Sequence, residues 1–352
     1  MAAFLLLRSS APVAMSLLGV VAGCVRAQQP GAVYPAGVTA AMHAASEGGT
    51  NWLLRHQSGD GSWRSAGVQG TYPVAMTSMA AMSLLTGGSA PTRGRHYAAV
   101  RGAVAFLKRN ADANTGLIAI PAEDGHTMYA HGFATLFLAS VSGMEEDARE
   151  HEALRRILRR AVSLIEAAQT PSGGWNYTPT AGFDEGSVTV TQIQALRACR
   201  MAGIQVSKKT IDQAIDYIRR CQNDDGGIRY RFGIPGESRP AISAAGVAVF
   251  YNAGVYDDRD FVDRAVRFCQ QRIRVGVDDG HEYYAQHYWG QALYQRGGAD
   301  WRAHFEKVGA WLLRDQKPDG SWDGDGVGPV YGTAIALTLL QLPYAYVPIY
   351  QR

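Results

Sequence analysis

Two short stretches are dense in side chains able to move protons. "HTMYAHG" (His126–Gly132) and "HEYYAQHYW" (His281–Trp289) set His126, His131, His281 and His287 among Tyr129, Tyr283, Tyr284 and Tyr288. Imidazole titrates near neutrality, so all four His residues are candidate general acids or bases. Phenol rings beside them offer an apolar wall with polar tips, suited to a hydrocarbon chain or to a cation held against a ring face. Tyr72 and Tyr331 fall at comparable places, and "GGIRYRFGIPGESRP" (Gly226–Pro240) adds Arg231 and Arg239, which can grip a phosphate or carboxylate. Any one of these residues also fits an ordinary place where core meets solvent. It is the clustering that marks a site.

His281, Glu282 and His287 are chemically able to hold zinc, but their spacing matches no zinc helix pattern such as His-Glu-x-x-His. No metal and no other cofactor is expected, with zinc kept as the lesser alternative. Beyond Cys24, the thiols at Cys199, Cys221 and Cys269 form neither a Cys-x-x-Cys pair nor a disulfide framework, and read as small core residues.

What must position these residues is a repeat. "WLLRHQSGDGSW" (Trp52–Trp63) returns almost unchanged as "WLLRDQKPDGSW" (Trp311–Trp322). The shared frame is an apolar helix end, a Gln, a polar turn, and Gly-x-aromatic. It places Gln57 with Gly61 and Trp63, and Gln316 with Gly320 and Trp322. Further copies carry Gln169 with Gly173 and Trp175, and Gln222 with Gly226 and Ile228. The spacing is about fifty residues and leaves room for two worn copies, near Gly116-x-Ile118 and near Phe268–Gly280, making six units. Each unit pairs a charged amphipathic segment with an Ala-rich, nearly charge-free one, most of which end in Gly. The first type predicts an outward-facing helix, and the second a helix buried on all sides. In each turn the Gly supplies the positive φ, the Gln amide satisfies a neighbouring helix end, and the Trp covers it. These Gln and Trp residues read as structural clasps.

The pattern (Trp/Tyr)-Leu-x-x-x-Gln-x-x-x-Gly-x-Trp resembles the QW motif of squalene–hopene and oxidosqualene cyclases. The six-unit helical ring is similar to the alpha/alpha toroid that those cyclases share with the β subunits of protein prenyltransferases. The resemblance covers about residues 40–343 and implies a ligand in the central cavity, near the starts of the inner helices. It departs at the chemistry. No D-x-D-D acid motif occurs, and Gly328–Ala334 stands where one would lie. The Asp-x-Cys zinc motif of the prenyltransferases is also missing. Paired carboxylates, as a carbohydrate-processing toroid would use, are almost lacking on the inner segments.

Residues 1–27 have the make-up of a secretory leader: no acid, Arg8 near the start, and an apolar run to Gly23. Two endings compete. "VAGC" resembles a lipobox that would place a lipid on Cys24 after a signal of residues 1–23, and is preferred; "VRA" at Val25–Ala27 fits ordinary cleavage. The net charge of +3 is scattered, which gives no footprint for nucleic acid.

The expectation is therefore an all-α chain. It has a leader, an alpha/alpha toroid of about six inner and six outer helices over residues 40–343, and a tail over 344–352. The resemblance implies a cyclase- or prenyltransferase-like protein, and the leader implies export to the periplasm or cell envelope, with membrane contact only through a lipid anchor. Its expected partner is a small-molecule isoprenoid or lipid; oligomeric state is open. The alternative is a non-catalytic binding or envelope scaffold.

Overall fold

The Ala-rich and the charged segments separate into two layers of a ring. The computed structural model describes residues 34–67, 70–180, 182–255, 258–277 and 280–351. The leader and Cys24 lie outside the described residues. The outer helices are α1 (Ala40–Arg55), α3 (Tyr97–Arg109), α6 (Ala148–Ala167), α8 (Lys208–Arg220), α10 (Arg259–Arg272) and α12 (Gly298–Asp315). The inner ones are α2 (Pro73–Thr86), α5 (Thr127–Val141), α7 (Gly186–Met201), α9 (Pro240–Asn252), α11 (Glu282–Arg296) and α13 (Pro329–Gln341). A single turn, α4 (Pro121–Asp124), precedes α5. No strand occurs among the described residues, so the all-α toroid expectation holds.

Burial follows composition. Every residue of α2 is buried, whereas α8 buries only Thr210, Ile211, Ala214, Ile215, Tyr217 and Ile218, one stripe at helical spacing. Each inner helix packs on the next, α2–α5–α7–α9–α11–α13, and α13 returns to α2. The ring is closed.

The doubled motif is its fastening. Gln57 donates from Nε2 to Gly61 O in its own turn at 3.0 Å and to Ala99 O in α3 at 2.9 Å. Gln169 reaches Gly173 O and Thr210 O in α8, both at 2.9 Å, and Gln222 reaches Gly226 O and Phe261 O in α10, both at 3.0 Å. Gln316 donates to Gly320 O and to Ala45 O in α1, both at 2.9 Å, tying the last unit to the first. Thus the Gln is not a local cap; it reaches a first-turn or second-turn carbonyl of the following outer helix. At Gly320 the backbone sits at φ +96, and a Cβ would lie 2.6 Å from Gly48 O in α1, so Gly is required by both conformation and proximity. The worn copy keeps this contact, since a Cβ on Gly116 would lie 2.5 Å from Arg160 O in α6.

The aromatic position works inward. Trp63, Trp175 and Trp322 are fully buried, and their indole N–H groups donate to Leu53 O, Ile165 O and Leu312 O at 2.8, 2.7 and 2.8 Å. Their backbone N–H groups donate to hydroxyls on the inner helices: Thr77, Thr189 and Thr333, at 2.9, 3.0 and 3.1 Å. In the fourth copy, Ile228 N–H donates to the Ser243 hydroxyl at 2.8 Å. One motif therefore binds its own outer helix, its own inner helix and the next outer helix.

Two substitutions test this fastening at the joint between α12 and α1. Gln316→Leu leaves both carbonyls without that donor and is expected to lower stability by about 1–3 kcal/mol in urea unfolding. Gly320→Ala should cost at least as much, because the added Cβ meets backbone rather than a movable side chain. Stability unchanged in both would show that the clasp does not hold the ring.

Candidate functional site

Four of the six outer helices bring their own caps. Thr39, Asp147, Ser207 and Asp258 accept from first-turn N–H groups of α1, α6, α8 and α10. Five of the inner helices have no side-chain bond from their N-cap residue, and α7 alone is capped locally, by Glu185. Carboxylates from elsewhere serve two of the others. Asp124 accepts from Val74 N at 3.1 Å, at the start of α2, and from Ile120 N at 2.7 Å. Asp325 accepts from Tyr283 N and Tyr284 N, both at 2.9 Å, at the start of α11. A helix start with unpaired N–H groups attracts an anion, and at α2, α7 and α11 the chain's own carboxylates serve that role.

Between the inner helices lies a cavity of about 310 Å³. Its wall descends in helical steps: Tyr72, Met76 and Met79 on α2 and its cap, His126, Tyr129 and Phe133 on α5, Tyr284, His287 and Tyr288 on α11, Tyr331 and Ile335 on α13. Above it a wider cleft of about 750 Å³ runs under the loop 229–239 and shares Tyr129, Tyr177, His281 and Tyr284 with the cavity. Those four residues form the mouth.

At the mouth His126 stacks on Tyr177 with ring centroids 4.1 Å apart, and partial burial lowers its pKa. His281 is exposed beside it. Deeper, His287 is 7% exposed, its Nδ1 has no hydrogen-bond partner, and burial lowers its pKa to about 4, so the ring is neutral. The Tyr284 and Tyr288 hydroxyls also lack partners of hydrogen-bonding geometry. Arg231 and Arg239 line the upper cleft, over the rings of Phe183 and Tyr230 at 4.5 and 4.9 Å. Arg231 Nε donates to Asp184 O at 3.0 Å.

A buried carboxyl stands behind this wall. Glu185 is 1% exposed; its Oε1 accepts from Val188 N at 2.5 Å, and its Oε2 from Ser187 N at 2.9 Å and the Ser187 hydroxyl at 2.5 Å. Ser187 Oγ in turn accepts from the Tyr129 hydroxyl, and Tyr177 and Tyr230 pair through their hydroxyls. Burial raises the Glu185 pKa, opposed by the Ser187 and Val188 bonds. The three oxygens form a line along which a proton can pass from the cavity wall to the carboxyl.

Two candidates lie elsewhere. Tyr283 turns from the cavity and packs on Trp311, centroids 5.0 Å apart. His131 is fully buried between helices: Nδ1 accepts from Ile118 N at 3.0 Å and Nε2–H donates to Ala161 O in α6 at 3.2 Å. It fills the place that Thr77, Thr189 and Thr333 fill in their units, opposite an Ile that replaces Trp. His131 is a clasp, not a cavity residue, because both nitrogens are engaged with backbone. Conversely, sequence reasoning misses Asp124, Glu185 and Asp325. Asp124 and Asp325 join distant segments, whereas Glu185 bonds locally to Ser187 and Val188, and its only signal is an acid one residue before a buried helix. Glu282, read as a zinc candidate, accepts from Gly276 N, and no group of three His, Cys, Asp or Glu able to hold a metal is gathered among the described residues.

Residues 40–281 match the model of a family described as the prenyltransferase alpha-alpha toroid domain. A variant of the type II terpene cyclase MstE from Scytonema, in complex with geranylgeranyl dihydroxybenzoate, has a TM-score of 0.60 at 15% identity, over 87% of this chain and 98% of that one. A protein from Actinoplanes scores 0.60 at 17% identity, over 87% and 99%. An α-1,6-mannanase from Salegentibacter sp. HEL1_6 scores 0.61 at 8% identity, over 87% and 99%. At these identities the likeness is one of fold. No curated protein matches.

The clasp reading of His131 is tested by a double-mutant cycle with Ile118. His131→Thr and Ile118→Trp should each destabilise, by a void and a clash, and the pair together by at least about 1 kcal/mol less than their sum. Additive losses would contradict it. Asp124 carries a pH signature: burial raises its pKa from 3.8 to about 6 against the pull of its backbone bonds. The fold therefore favours the protonated form, an advantage complete below the unfolded pKa and lost as pH rises through about 6. The stability of the wild type relative to Asp124→Asn should fall by up to about 2 kcal/mol between pH 4 and pH 7. A rise would reverse the assignment.

Proposed function

We propose, from the premise that this chain belongs to the prenyltransferase alpha-alpha toroid domain family, that its central cavity holds an amphiphile: an isoprenoid or similar lipid chain below, an anionic head above. The carrying observation is the polarity gradient along one continuous space. Met76, Met79, Phe133 and Ile335 line the depth, Tyr and His residues ring the mouth, and Arg231 and Arg239 face the cleft above it. A volume of about 310 Å³, walled mainly by aromatic and thioether side chains, suits a folded hydrocarbon chain. Neither arginine has a carboxylate partner among the ion pairs of the described residues, so their charge is available to a ligand head. A cyclase relative of similar fold is described in complex with geranylgeranyl dihydroxybenzoate, which joins such a chain to a benzoate.

Within this reading, holding the ligand is favoured over cyclising it. Protonating an alkene calls for a carboxylic acid with its proton presented to the cavity. Both Asp124 oxygens accept backbone N–H groups, as do both Asp325 oxygens, and Glu185 lies behind Ser187. What remains is mild acid–base chemistry by His126, His281 or His287, or none. Residues 1–27 support placing this activity outside the cytoplasm, with Cys24 as the anchor.

Titration with a geranylgeranyl carboxylate and with the matching alcohol, followed by calorimetry and native mass spectrometry, tests the proposal. One molecule of the carboxylate should bind more tightly than the alcohol. Arg231→Ala with Arg239→Ala should abolish that difference, weakening the carboxylate by about tenfold or more. Met79→Trp, which fills the shaft, should prevent binding of both. If neither compound binds the folded wild type, the amphiphile reading is wrong.

A further inference from the structure

We infer that residues 347–350 are a stopper that closes the lower end of the cavity and fixes the length of chain it accepts; this rests on the amphiphile reading above. The sequence alone presents the segment following α13 as a tail. Instead, after a single turn (Leu342–Tyr344), Ala345 takes φ +55 and redirects the backbone across the ring. Among the described residues three non-glycine positions have positive φ, and the other two, Tyr72 and Asp325, line the cavity. Strain of this kind persists where surrounding structure enforces it.

The redirected segment is packed as core. Val347, Ile349 and Tyr350 are 2%, 4% and 4% exposed; the turn Pro348–Tyr350 touches α7 and α11, on either side of α9, and Tyr350 shares a void with Met82 of α2 and Thr338 of α13. Gln295, one residue from the end of α11, lies 3.5 Å by its Nε2 from Ile349 O. The segment thus crosses at the ends of the inner helices far from the mouth.

Directly above Tyr350 is a small void of about 20 Å³, with Met82 and Thr338 in its wall. Met79, Phe133, His287 and Ile335 line both this void and the main cavity, so they form a thin septum between the two. A septum of separate side chains, one an unbranched thioether, yields to a chain end by rotamer changes. Tyr350 is a flat, rigid ring, 4% exposed, on a backbone held to α11 through Ile349 O, and it has no such freedom. Depth is therefore bounded by Tyr350, and the septum adjusts above it. The polar Nδ1 of His287 in the septum has no partner, which leaves this collar without the satisfied bonds of the helix clasps.

The test uses the full chain and a series of prenyl carboxylates of two, three, four and five isoprene units, competed in pairs and weighed by native mass spectrometry. Tyr350→Ala should shift preference toward the next longer member by about tenfold, since an added unit gains buried apolar surface only if the floor gives way. An unchanged ratio in a folded Tyr350→Ala protein overturns the stopper while leaving the amphiphile reading intact. Should the wild type bind no member, that reading fails, and the stopper is judged without ligand. Thr338→Cys, in a Cys24→Ser background, places a thiol under the septum. The thiols of Cys199, Cys221 and Cys269 are buried and their pKa values raised, so they stay silent. With these substitutions, a chain shortened to end at Ala345 should react with maleimide at the introduced thiol at least about tenfold faster than the full chain. Equal rates would show that the segment covers nothing.

Discussion

The fold depends on one constraint: six helix pairs must return to their starting point, and the last contact must be as good as the others. A carbonyl of the neighbouring outer helix receives the same glutamine amide at four joints, including that between α12 and α1. The amide is suited to this because one nitrogen carries two donors, which reach two carbonyls of different elements at once. Glycine beside it brings the two backbones close, and the buried indole then excludes water from both bonds. Closure by repetition of a single local device explains why a sequence so variable elsewhere writes nearly the same twelve residues at both ends of the ring.

That regularity leaves the inner-helix starts as the irregular part of the molecule. Their N–H groups point to a shared space, and several are met by carboxylates or carbonyls from neighbouring loops. Met128 N donates to Tyr177 O and Gly186 N to Tyr230 O, at 2.9 and 2.8 Å, so the loops forming the mouth are also the loops that seat the helices. Site and scaffold are coupled there. A change that repositions the 229–239 loop would be felt at the start of α7 and hence along the line from Tyr129 to Glu185.

The ring is legible in the sequence because its signals are local and repeated: Gln, then Gly, then an aromatic at fixed offsets, and alternation between charged and charge-free segments. The His and Tyr clusters are legible for the same reason, and His126, His281, His287, Tyr72, Tyr129, Tyr284, Tyr288 and Tyr331 do line the mouth or shaft. His131 is misread from sequence since its cluster looks uniform, while its role is set by the partner missing at Ile118. The sequence could not reveal Asp124 or Asp325, which accept from helices about 50 and 42 positions away. Nor could it reveal Tyr350, whose place depends on where α7 and α11 come to lie. Pairings across the ring carry no mark in a local window.

The return of α13 to α2 has one more consequence. An open solenoid tolerates gain or loss of a unit at either end, because each unit touches only its neighbours. Here removing one pair would leave a gap that the rest can fill only by changing the curvature of every joint. The number of units is therefore not free to drift, and variation in this architecture is steered away from length and into the loops around the mouth.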